Sequence, residues 1–186
     1  SAHETSFYFL LEEVYCEVFE LKEFIYETHL NKENFYQCIF GIGNIAMAKF
    51  ASNLLKERLS SEELRNYVTA KGFNGKNIFH FVVLNKNNQD LVKFLAKFIE
   101  IELGTEELKK MLNEGDKSDF VPFHYAIRNN KNLEILETVT SLYEQNFSFE
   151  EVKQILSLKK LIRIHNSLKI YKSPILDAVE KVLKKY

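Results

Sequence analysis

Asn77-Ile78-Phe79-His80-Phe81-Val82-Val83 is short, largely apolar and repeated, and its reading decides the fold. Its Phe-His pair returns as Phe123-His124 and is anticipated by Phe35-Tyr36, each 44 residues away. Asn44, Asn88 and Asn132 mark the same interval, as do Glu62-Glu63, Glu106-Glu107 and Glu150-Glu151. An internal period of about 20 to 50 residues belongs to a stacked array, because one small unit cannot bury its apolar face alone. Such arrays expose a long surface suited to binding other macromolecules.

Working outward, the best unit runs from Leu59 to Glu102. Ser60-Ser61-Glu62-Glu63 is a capping-box pattern, in which the Ser60 hydroxyl accepts from the Glu63 N–H and the Glu63 carboxylate reaches back. A short amphipathic helix follows through Leu64, Tyr67 and Val68, then a tight turn, Phe73-Asn74-Gly75-Lys76, where Gly75 can take a positive φ. The Asn77–Val83 stretch reads as a short buried helix that stops at the polar run from Asn85 to Asn88. Leu91, Phe94, Leu95, Phe98 and Ile99 then mark a longer helix by their 3–4 spacing.

The next unit repeats this order. Gly104-Thr105-Glu106-Glu107 opens it, Leu108, Met111 and Leu112 form the first stripe, and Lys117-Ser118-Asp119-Phe120 is the turn. Pro122 starts the inner helix, where its missing N–H is harmless. Leu133, Ile135, Leu136, Val139 and Leu142 mark the outer helix. The end copies are degenerate: Phe35-Tyr36 stands for Phe-His at one end, and Ser167-Leu168 replaces it at the other, after the capping box Ser148-Phe149-Glu150-Glu151. No strand-like alternation appears. The expectation is an all-α helical repeat solenoid over 1–186. Its four units fall at about 16–58, 59–102, 103–146 and 147–186, with a helix over 6–27 covering the first stacking face.

Composition agrees with a globular chain. At 186 residues, 46% hydrophobic and 27% charged, it can bury roughly 70% of the surface its unfolded form exposes. A net charge of −1 provides no overall field toward nucleic acid or acidic membranes. No apolar run reaches the roughly 20 residues that a membrane span needs. The two cysteines, Cys16 and Cys38, are too few for a disulfide framework and lack metal-ligand spacing, which favours a reducing, intracellular and cytoplasmic setting without excluding nuclear or host-cell delivery. Ser1-Ala2-His3 has no initiator Met and no signal-peptide pattern, so the expectation is a piece of a longer protein or one with a replaced start.

The residues that look chemical have plainer readings. His80 and His124 would need further Cys, His or carboxylate partners to hold a metal, and none stands at metal spacing. The Glu-Glu pairs sit in helix first turns, where capping and the helix dipole explain them as solvated carboxylates. Cys16 and Cys38 have no neighbouring His and read as buried, inert thiols. With no Gly-rich phosphate loop and no nucleophile elbow, neither an enzymatic activity nor a cofactor is expected. Lys159, Lys160, Arg163, Lys169 and Lys172 make a small basic patch, better read as a solvated helix face than as a nucleic-acid or phospholipid site.

Two segments resemble ankyrin repeats. Gly75-Lys76-Asn77-Ile78-Phe79-His80-Phe81-Val82-Val83 is similar to that family's Gly-x-Thr-Pro-Leu-His-x-Ala-Ala signature, and Val121-Pro122-Phe123-His124-Tyr125-Ala126-Ile127 is closer to it. Asn132-Leu133-Glu134-Ile135-Leu136 resembles the opening of the family's second helix. The likeness covers about residues 30 to 145. Asn77 and Val121 replace the threonine, and no glycine stands before Phe120. The period also exceeds the usual length of about 33 residues, by the extra helix that begins at Glu62, Glu106 and Glu150. Armadillo and HEAT arrays also suit three helices in about 44 residues, but the Phe-His pair favours ankyrin.

The resemblance implies structural roles for His80, His124, Gly75 and Pro122, with each histidine bonding across a turn to tie units together. It also implies a concave face of turn tips and inner helices that binds a protein partner without catalysis. Phe73, Asn74, Lys76, Leu84 and Asn85 fall on that face in one unit; Lys117, Ser118, Phe120, Arg128 and Asn129 match them in the next. Phe73 and Phe120 are expected as exposed aromatic anchors. Alternatives are a recruiting arm of a larger enzyme, ligase adaptor or effector, and nucleic-acid or phospholipid binding through Lys159–Lys172.

Overall fold

Several of the described helices start at local signals written in the chain. The structure, a computed structural model, describes residues 34–84, 89–128 and 133–156. The expected helix over 6–27, Cys16, Asn85, Asn129, the Lys159–Lys172 patch and the terminal copy beyond 156 lie outside those residues. Among the described residues the regular structure is α-helical, with one 3-10 turn and no strand, as the all-α expectation requires.

Helix α1 (Phe35–Ile42) is held by a capping box between Asn34 and Gln37 and ends at Gly43, whose φ is 85°. In α2 (Ile45–Arg58) the Asn44 side chain accepts from the N–H groups of Ala46 and Met47. Helix α3 (Ser61–Val68) has the Ser60/Glu63 capping box. A 3-10 turn, Phe73–Gly75, leads to α4 (Ile78–Val82), capped by Asn77. The remaining helices are α5 (Gln89–Glu102), α6 (Thr105–Asn113), α7 (Pro122–Arg128), α8 (Leu133–Asn146) and α9 (Phe149–Leu156).

Like elements begin at like intervals. The 14-residue helices α2, α5 and α8 start at Ile45, Gln89 and Leu133, 44 residues apart. So do the short helices α3, α6 and α9, which start at Ser61, Thr105 and Phe149. Helices α1, α4 and α7 lie side by side in one row, α2, α5 and α8 in a second, and α6 bridges from α5 to α7.

Apolar faces meet between the rows. Tyr36, Phe40, Phe79, Leu91, Leu95, Ile99, Met111, Phe123 and Tyr143 are fully buried there, and each aliphatic or Phe side chain so buried contributes about 1.5–3 kcal/mol. Tyr36 meets Phe40 edge to face at 4.8 Å, and Phe123 meets Tyr143 at 4.7 Å. Two buried phenols have hydrogen-bond partners: Tyr36 donates to Ser52, which donates to the Ala48 carbonyl, while Tyr143 donates to the Leu112 carbonyl. Burial pushes both phenols well above their ordinary pKa.

Polar side chains join each segment to the next. Asn34 Nδ2 donates to the Tyr67 carbonyl (2.9 Å) and Asn77 Nδ2 to the Met111 carbonyl (2.7 Å), equivalent acceptors on α3 and α6. Ion pairs run in the same direction, from Lys56 to Glu102, Arg65 to Glu107 and Lys71 to Glu114. Here one expectation fails. Glu107 is not a solvated capping carboxylate: the Gly104 N–H that it would accept from donates to the Ile99 carbonyl instead. The Glu107 side chain is 10% exposed and pairs with both Arg65 and Lys110. The hydrogen bond from Lys110, together with the Arg65 contact, lowers its pKa against the opposing effect of burial.

Candidate functional site

Two adjacent turns form the centre of the candidate face. In the first, Gly72 N–H donates to the Lys76 carbonyl, and Asn74 and Gly75 take φ values of 59° and 75°. In the second, Asp116 N–H donates to the Phe120 carbonyl, and Asp119 takes φ 62° where the first turn has Gly75. Asp tolerates this left-handed region better than most residues, which lets the second turn form without glycine. The Asp116 side chain braces that turn, accepting from the N–H groups of Ser118 (2.8 Å) and Phe120 (3.0 Å). Lys117 N–H donates to the Asn74 carbonyl at 2.8 Å, locking one turn to the next.

The expected face residues divide into two groups. Phe73 is 53% exposed and Leu84 41%, and Asn74, Lys117, Ser118 and Arg128 are exposed too. Phe120 is corrected. It is half-buried against the core, its ring 5.4 Å from His124 and 6.5 Å from Tyr125. The turns explain why: Phe120 occupies the place of Lys76, at the foot of the turn, while Lys117 occupies the outer place of Phe73.

Tyr125 was not singled out from sequence, yet it organises the face. Lys76 Nζ sits 4.9 Å above its ring, and its hydroxyl donates to Asp116 Oδ2 at 2.6 Å. Burial, the bond to Asp116 and that carboxylate's charge all push the phenol's pKa up. Burial opposes ionisation of Asp116, but the hydrogen bonds from Tyr125, Phe120 and Ser118 outweigh it and hold its pKa low. The only sequence signal for Tyr125 was its position directly after Phe123-His124.

Both histidines bond within the fold. His80 Nδ1 accepts from Asn77 N–H (3.1 Å), so its proton sits on Nε2, which donates to the Phe120 carbonyl (2.8 Å). His124 Nδ1 likewise accepts from Val121 N–H, and Nε2 donates to the Leu156 carbonyl. Burial lowers the pKa of His80, with Phe120, Asp116 and Asn77 opposing and Lys76 adding to the fall. Gly75 holds a positive φ beside Lys117, and Pro122 is the buried first residue of α7. Cys38 is a half-buried thiol on α1. Among the described residues, no group of three His, Cys, Asp or Glu could hold a metal.

Apart from these turns, a concavity of about 640 Å³ lies between α5, α8 and the start of α6. Val92, Leu108 and Leu142 floor it, and Lys93, Lys97, Glu100, Glu134 and Glu137 line it. Lys93 and Lys97 are paired within α5, to Asp90 at 3.8 Å and Glu100 at 2.9 Å. No described helix is long and apolar enough to cross a membrane. Comparison with protein-family models, curated proteins and solved structures finds no match to this chain.

Proposed function

We propose that these helices belong to an ankyrin-like solenoid serving as a non-catalytic protein-interaction module, which binds its partner through the turn tips and the exposed side of the inner helices. One observation carries the reading. The two turns are fixed to each other by a backbone hydrogen bond and present Phe73, a large apolar ring that is 53% exposed. A surface ordered before binding loses little entropy on association, and an exposed aromatic anchor makes a binding hot spot. The α5–α8 groove fits less well, because its lysines already pair with carboxylates on their own helix.

The test is an affinity capture with the 186-residue chain beside a Phe73→Ala/Leu84→Ala variant of equal melting temperature. Any captured protein is then remeasured in purified form. Binding should weaken about tenfold or more in the variant, because hot-spot truncations cost about 2 kcal/mol. Equal binding by the two chains would remove the turn-tip face from the account.

A further inference from the structure

The described cations of this protein are unevenly satisfied. Seven described Lys and Arg side chains are in ion pairs: Lys56, Arg65, Lys71, Lys93, Lys97, Lys109 and Lys110. Lys76, Lys117 and Arg128 meet no carboxylate within salt-bridge distance among the described residues; Lys117 and Arg128 are exposed, and Lys76 is half-buried at the foot of the first turn. The other described cations with no carboxylate at that distance, Lys49, Arg58 and Lys153, lie elsewhere, on α2 and α9.

The three are joined by structure. Lys76 stands over the Tyr125 ring, and Arg128 ends α7 three residues after Tyr125, about one helical turn away. A Cβ built on Gly75 would meet Lys117 Cγ at 3.4 Å, so Lys117 lies directly against the first turn. The nearby carboxylate of Asp116 is occupied, with three hydrogen bonds from Tyr125, Ser118 and Phe120. Asp119 is the exposed acid of the second turn. Two exposed apolar side chains hold the equivalent places one segment earlier, Phe73 for Lys117 and Leu84 for Arg128.

Resting on the binding role proposed above, we infer that the partner is an acidic peptide segment in which Asp or Glu residues flank an apolar or aromatic side chain. The apolar side chain packs on Phe73 and Leu84, and the carboxylates meet Lys76, Lys117 and Arg128. A peptide lying across the two segments would meet apolar groups on one, Phe73 and Leu84, and cations at the equivalent places on the next, Lys117 and Arg128. The carboxylates speed encounter and set specificity, and the apolar contact holds the complex.

A random peptide library displayed on phage, selected against the full chain, tests this. The selected peptides should be enriched in Asp and Glu around an apolar residue. Their affinity should fall about tenfold or more in Lys76→Glu/Lys117→Glu/Arg128→Glu, and steadily with added salt. If that variant melts early, the Gln triple variant replaces it, with a smaller loss in the same direction. Peptides without acidic enrichment that still depend on Phe73 would overturn the charge assignment and leave the binding face standing. Acidic peptides indifferent to both triple variants would overturn it as well. So would a 20-nucleotide single-stranded DNA that outcompetes the peptides and loses binding on the same charge reversal.

Discussion

Gln37, His80 and His124 perform one task with two chemistries. Gln37 Oε1 accepts from the Asn34 N–H, and its Nε2 donates to the Ala70 carbonyl at 2.6 Å. The histidines do the same with Nδ1 and Nε2. The sequence register that matched Tyr36 to the histidines is therefore one residue off. Tyr36 corresponds to the buried rings of Phe79 and Phe123, and Gln37 to the histidines. Nothing in composition equates a carboxamide with an imidazole; only the bonding geometry does. A pH prediction follows from the difference. Below the ordinary histidine value of 6.5, an unfolded chain takes up a proton at position 80 that the folded chain resists. Stability should therefore fall as pH drops below 6.5 toward the lowered folded value, and be independent of this group above it. Asp116, whose folded pKa is lowered, acts in the opposite sense of charge: its contribution is present above 3.8 and is lost as pH falls through the folded value. His80→Gln keeps both hydrogen bonds and removes the titration. Its melting temperature should decline less than the wild type's between about pH 7 and about pH 5. Identical slopes would show that His80 does not couple folding to pH.

At the scale of elements, helix starts were the most legible feature, because caps are local. Ser60-x-x-Glu63 and Ser148-x-x-Glu151 both form reciprocal bonds, and Pro122 opens α7. Ser60→Ala should cost about 1 kcal/mol in chemical denaturation, the usual worth of an N-cap hydroxyl. Gly104 is different. It sits at φ 95°, ψ 160°, a region reserved for glycine, with nothing within 4 Å of a built Cβ. Gly104→Ala should therefore cost about 1–3 kcal/mol through backbone strain alone; a neutral result would mean that α6 can begin in another conformation. From sequence, Gly104 was legible as an opening residue but not as a strained one, since glycine leaves no side-chain signal of its φ. Phe120 was misplaced for a related reason. Its position in the turn depends on which residue takes the positive φ, and that residue proved to be Asp119.

Across the whole molecule, the 44-residue interval anticipated the recurrence of helix starts. It could not anticipate what those helices make together. The α5–α8 groove joins side chains about 45 residues apart, and Tyr125 becomes central only when Lys76 and Asp116 are folded onto it. Neither arrangement has a signature within one segment. The two surfaces offer competing places for a partner, and they can be separated directly. Amide hydrogen exchange of the full chain, with and without a captured partner or selected peptide, is the decisive measurement. Binding at the turn-tip face predicts slowed exchange over residues 72–84 and 116–128, with 89–108 and 134–146 unchanged. Protection confined to those latter helices would place the partner in the groove and contradict the account.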